Sequence, residues 1–136
     1  MDEQVFWTFY GFQTKGAGRP VQEWFDALSD EEADEVRDTL GYLQHLHPRE
    51  WKHPRFGPLG DGLSEIRCKI GSLNLWVRIY GAFWPTGRRF SYTLLYGGNK
   101  KIRNDRRGKR EAVRRKRLLE NGEASIHEFK FSEESD

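Results

Sequence analysis

Between residues 90 and 117 an apolar run, FSYTLLY, passes through two glycines directly into the most basic stretch of the chain. From residue 99 to residue 117 there are 11 Lys and Arg against two acids, Asp105 and Glu111, in a chain whose formal net charge is only +2. Charge is therefore sorted along the sequence. The first part of the segment has to be buried as a strand, and the second has to lie on a surface. Such a concentration of cations, held by a strand that can fix its first members, is the electrostatic footprint of a polyanion binder. A solvated basic helix answered by the chain's own acids is the alternative reading of a bare charge run.

The remainder can form one core. At 136 residues the chain has the length of a single domain. Its charged fraction of 32% is high, yet an aromatic fraction of 14% argues against disorder, because such rings must find a core or a partner. Cys68 is the one cysteine, so no internal disulfide is available, and neither a leader-like segment nor a long apolar span is evident. We expect a cytoplasmic protein without membrane association. Residues 1–120 read as one domain and residues 121–136 as an acidic tail.

Residues 5–10, VFWTFY, form a β-branched and aromatic run that predicts a strand buried on both faces. Pro20 suits a first helical position, and Val21, Trp24, Phe25 and Leu28 follow at helical spacing. Ser29 with Glu32 reads as a capping box opening a second helix, whose inward face is Ala33, Val36, Leu40, Leu43 and then His47 before Pro48 ends it. Residues 49–62 read as loop because prolines and glycines interrupt any period. Residues 63–70 alternate, with Ile66 and Cys68 toward the core and Glu65, Arg67 and Lys69 away from it. After a turn, Leu75, Val77 and Ile79 share one face, and Trp76, Arg78 and Tyr80 the other. Residues 90–96 complete an antiparallel meander. A last helix begins with Asn104 or Asp105 as N-cap and runs to about Glu120, with Gly108 weakening its first turn. The expected fold is α+β in two layers: a small antiparallel sheet, the N-terminal strand plus a three-strand meander, packed on a helical hairpin, with a basic C-terminal helix.

In that arrangement one face of the meander displays Arg67, Lys69, Trp76, Arg78 and Tyr80. Cations on rigid strands beside flat rings suit single-stranded RNA, whose phosphates need charge and whose splayed bases need stacking partners. The competing reading packs Trp76 and Tyr80 under the last helix.

Three stretches carry a family resemblance: PLGDGLSEIR (58–67), WVRIYG (76–81) and YTLLYGGNKKIRND (92–105). In this order they resemble the toxins of the RelE/ParE superfamily, in particular the phage-related HigB-like branch of type II toxin–antitoxin modules, over nearly the whole chain. Relative to that pattern Tyr96 stands where the branch has His, Gly98 where it has Phe, and a Thr-x-x-x-Pro after the lysine pair is missing. The resemblance implies an endoribonuclease that cleaves mRNA, commonly on the ribosome, and is neutralised by a cognate helix-turn-helix antitoxin.

Metal-free RNA cleavage needs a base for the 2′-OH proton, cations for the charge building on phosphorus, and an acid for the leaving 5′-oxygen. Arg67 and Arg78 suit a phosphate clamp, since guanidinium groups stay protonated. Lys100 or Lys101 is a candidate base, and Tyr96 a candidate acid or stacking ring. Arg103, Arg106, Arg107, Arg110 and Arg114, with Lys69, Trp76 and Tyr80, are candidate RNA contacts. Arg67 pairing only with Glu65 or Glu23 is the structural alternative. His45 and His47 are two apart on a helix and there is one cysteine, so we expect no metal site; there is no nucleotide loop, and we expect no cofactor. Cys68 alternates with Ile66 and Ile70, which places it in packing. Two other functions stay open: a non-catalytic inhibitor of a protein target, like the gyrase-poisoning members of the superfamily, and a degenerate phage-derived RNA binder.

Overall fold

In a computed structural model of the chain, residues 7–52, 55–71, 75–84, 90–98 and 105–132 are described. Trp7 and Phe9 carry the N-terminal aromatic run into strand β1, Thr8–Gln13. The strand crosses Gly11 where the sequence suggests a boundary. Gly11 is tolerated there because its missing Cβ makes room for the imidazole of His127, which a Cβ would meet at 2.6 Å. Pro20 opens α1, Pro20–Asp26, and Ser29 caps α2, Asp30–Gln44, through the reciprocal pair with Glu32. Helix α2 ends before His47, which is exposed and not on the inward face.

Four strands follow a 3-10 turn at Pro48–Glu50: β2 Phe56–Gly60, β3 Leu63–Ile70, β4 Leu75–Ala82 and β5 Ser91–Gly98. The meander β3–β4–β5 is antiparallel, as the alternation predicts. The strand β2 lies within what reads as loop. It is an edge strand with a register shift between Pro58 and Gly60, where the missing N–H of proline costs little. Helix α3, Arg106–Glu120, starts from Asp105, whose Oδ1 accepts from the Gly108 amide at 2.9 Å.

The acidic segment after Glu120 does not stay outside the sheet. Ser125–Glu128 forms β6, antiparallel to β1, and Phe129 is buried in the core. Sequence order hides this because the strand has only four residues and no alternation of its own. The sheet order is β2-β3-β4-β5-β1-β6, antiparallel except for β1 beside β5. The fold is α+β.

Both faces of the sheet are covered, so the expected two layers become three. On one face α1 and α2 bury Val21, Phe25, Val36, Leu40 and Leu43 against Ile66, Cys68, Val77 and Ile79. Trp7 and Trp51 pack in the same core, with indole N–H groups donating to the Leu46 and Leu43 carbonyls. On the other face α3 covers Phe12, Leu63, Tyr80 and Leu95 with Ala112 and Leu119. Among the described residues no helix is long and apolar enough to cross a membrane.

Candidate nucleic-acid interface

Strand pairing places the candidate cations. Arg67 lies opposite Arg78, Lys69 opposite Trp76 and Glu65 opposite Tyr80, at the strand positions that alternate with the core residues Ile66, Cys68, Val77 and Ile79. Like charges directly opposed on a ladder repel. Glu65 answers both: its Oε1 accepts from Arg67 Nε at 2.8 Å, and its Oε2 lies 3.6 Å from Arg78 NH1. The carboxylate is buried at 4% exposure, whereas each guanidinium stays about one-fifth open, so the cations reach outward and their counter-charge does not. Pairing with Glu65, the structural alternative for Arg67, is present and leaves the guanidinium facing a cleft.

Tyr80 is not displayed. It is 3% exposed under α3, its hydroxyl donating to Asp105 Oδ2 at 3.3 Å, and burial followed by the charge of Asp105 raises its pKa. Tyr96 stacks on it with ring centroids 5.7 Å apart and planes 18° from parallel. Burial and then Asp105 raise the Tyr96 pKa too, so both phenols hold their protons at neutral pH. Tyr96 is half-buried, and Arg115 lies 5.9 Å from its ring centroid.

Three clefts share the predicted residues. A cleft of about 370 Å³ is lined by Leu59, Glu65, Arg78, Tyr80, Asp105, Arg106 and Lys109. Arg67, Lys69 and Trp76 instead line a cleft of about 520 Å³ against α2, with Lys69 Nζ 5.9 Å from the Trp76 ring centroid. Tyr96, Arg107, Arg110 and Arg114 line a third, along the outer side of α3. The sequence suggests one continuous face; α3 lying across it divides that face. Lys100, Lys101 and Arg103 lie outside the described residues.

The basic helix is partly self-neutralised. Glu111 accepts from Arg114 at 2.6 Å and Arg115 at 2.7 Å, hydrogen bonds that hold its carboxyl below the usual range. Arg115 also donates to the Leu95 carbonyl and so fastens the helix to the sheet. Lys116 pairs with Glu120, and Lys109 with Asp61 in the β2–β3 turn. Arg106, Arg107, Arg110 and Arg117 have no acidic partner among the described residues. On the described part of α3, these four are the cations that no carboxylate of the described residues answers.

Glu65, Asp105 and Lys109 belong to the site although sequence reading gives them no role in chemistry. Glu65 sits at an outward-facing position of an alternating strand, and only the strand register shows that it joins two arginines. Burial pushes the Cys68 thiol up to about 12, in keeping with a packing role. Among the described residues no group of three or more His, Cys, Asp or Glu side chains is placed to hold a metal ion.

Comparison of the chain with protein-family models, curated proteins and solved structures gives no match. Function therefore has to be argued from the site.

Proposed function

We propose that this chain is a toxin of the RelE/ParE superfamily, of the phage-related HigB-like branch: a metal-independent, cytoplasmic mRNA endonuclease that acts on translating ribosomes and is silenced by a cognate helix-turn-helix antitoxin. The observation that carries this reading is the convergence of Arg78, Arg106 and Lys109 on one cleft that also holds a carboxylate, Glu65, and a protonated phenol, Tyr80. Cations there stabilise the charge that builds on the non-bridging oxygens as the ribose 2′-oxygen bonds to phosphorus and the bond to the 5′-oxygen breaks. The 2′-OH proton passes to a base, Glu65 or the Lys100–Lys101 pair, and the departing 5′-oxygen takes a proton from an acid. The products are a 2′,3′-cyclic phosphate and a 5′-hydroxyl. Tyr96, protonated at neutral pH, is the proton donor or a stacking ring for a base.

Induction of the wild-type chain alone arrests bacterial growth, and co-expression of its antitoxin restores it. Arg78→Ala removes a preorganised cation and lowers the cleavage rate by about 10²–10³ with the fold intact. The measurement is primer extension on translating ribosomes with circular dichroism of each variant, repeated with chelator present. A folded Arg78→Ala protein that cuts at the wild-type rate overturns the site.

One observation favours a non-catalytic RNA binder or protein-target inhibitor: Tyr96, where the branch has His, is stacked on Tyr80. Growth arrest by a wild type that cuts no RNA selects the inhibitor.

A further inference from the structure

The larger cleft, between α2 and the ends of β3 and β4, has two walls of opposite character. Its helix wall is Glu35, Asp38, Thr39 and Tyr42. Arg55, Arg67, Lys69 and Trp76 form the strand wall. Carboxylates on the two turns of a helix that face cations usually close into ion pairs, but here neither Glu35 nor Asp38 has a hydrogen bond or ion pair among the described residues. Two rings stand at the cleft with cations already over their faces: Arg55 lies 4.6 Å from the Tyr42 centroid and Lys69 5.9 Å from that of Trp76. Tyr42 stays half exposed even with Arg55 over one face of its ring.

We propose that this cleft is a nucleobase subsite that takes guanine from an RNA strand whose phosphate rests at Arg67 and Arg78. The inference rests on the RNA-cleaving reading above and adds a base preference to it. Arg67 connects the two places: it lines this cleft and shares Glu65 with Arg78, which lines the other. A base entering here stacks on Trp76 or Tyr42, as splayed bases do on aromatic side chains. Its edge then meets two acceptor-only carboxylates. Guanine alone presents adjacent N1–H and N2–H donors there, whereas adenine and cytosine offer one amino group and uracil one imino group. The cleft, about 520 Å³, admits a purine with its ribose. A basic protein segment would satisfy the carboxylates as well, but Arg55, Arg67 and Lys69 on the opposite wall would repel it.

The test uses the full chain and 2′-O-methylated octanucleotides, which lack the nucleophile and are not cut, alternating U with G, A or C. Affinities are read by fluorescence anisotropy at low salt. Wild type is expected to bind the UG repeat about 10-fold more tightly than the UA or UC repeat, the discrimination of one bidentate pair. Asp38→Asn, and Glu35→Gln with Asp38→Asn, should bring that ratio close to one while leaving UA binding unchanged or tighter, since negative charge near phosphates is removed. Trp76→Ala should weaken all three. Equal wild-type affinity for the three repeats overturns the guanine subsite and leaves the nuclease reading standing. A UG preference that survives in both folded carboxylate variants also overturns it, because guanine is then read elsewhere. Failure to bind any repeat removes the subsite and the RNA reading together. Binding of an arginine-rich octapeptide that depends on Asp38 and is not competed by RNA assigns the cleft to a protein partner instead.

Discussion

The ring of Tyr96 lies so close to the backbone of Gly108 that a Cβ on the glycine would come within 2.6 Å of Tyr96 Cε2. Strand β5 and the first turn of α3 are thereby locked together, with Asp105 capping the helix and accepting from Tyr80 beneath it. In an exposed helix Gly→Ala gains about 1 kcal/mol. At this position the sign should reverse. Gly108→Ala is expected to lose about 1–3 kcal/mol through overpacking against the ring and the capping carboxylate, read as a lowered urea midpoint with an unchanged slope.

Removal of the Glu65 charge should move stability and RNA affinity in opposite directions. Glu65→Gln removes the carboxylate that Arg67 and Arg78 share across the ladder, which is expected to cost about 1–3 kcal/mol. The same change removes an anion that competes with phosphate beside both guanidinium groups, so affinity for non-cleavable single-stranded RNA should rise several-fold. Parallel chemical denaturation and anisotropy titrations check this, and affinity falling together with stability would mean that Glu65 only supports the fold.

Arginines on the outer side of α3 should contribute to binding by attraction alone. Arg107→Gln, Arg110→Gln and Arg117→Gln are each expected to reduce the log–log salt slope by about 0.7 on single strands, with no effect on the cleavage rate at saturation. Arg115→Gln should behave differently. It loses contacts to Glu111 and the Leu95 carbonyl, so thermal unfolding should fall before affinity does.

His127 gives stability a dependence on mildly acidic pH. Its Nδ1–H donates to the Glu128 carbonyl at 2.9 Å, its Nε2 is buried with no hydrogen-bond partner among the described residues, and burial lowers its pKa, with Arg19 and Lys130 acting in the same direction. The unfolded chain takes up the proton with a pKa of about 6.5, whereas the folded chain resists it. Stability is therefore complete above that value and declines as pH falls through it toward the lower folded pKa. Urea midpoints at pH 7.5, 6.5 and 5.5 should decline for wild type and change less for His127→Gln; equal declines would dismiss the imidazole as the cause.

Local signals on this chain are strong where one short segment decides its own state. The Ser29–Glu32 capping box, the Pro20 helix start, the Asp105 cap and the alternation of residues 63–70 each need only neighbours in sequence, and all are present as read. The α+β class follows from them. What the sequence could not decide is pairing between distant segments. Strand β2 is an edge strand made of residues that usually break strands, and β6 exists because β1 offers it an open edge; neither has a period to reveal it. The same holds for the site. Which side chains alternate with the core positions was legible from a period of two, but α3 buries Tyr80 and the cations fall among three clefts, one of them against α2. Glu65 joins Arg67 and Arg78 only because the β3–β4 register sets Arg67 opposite Arg78, and register is a property of two strands, not of either one.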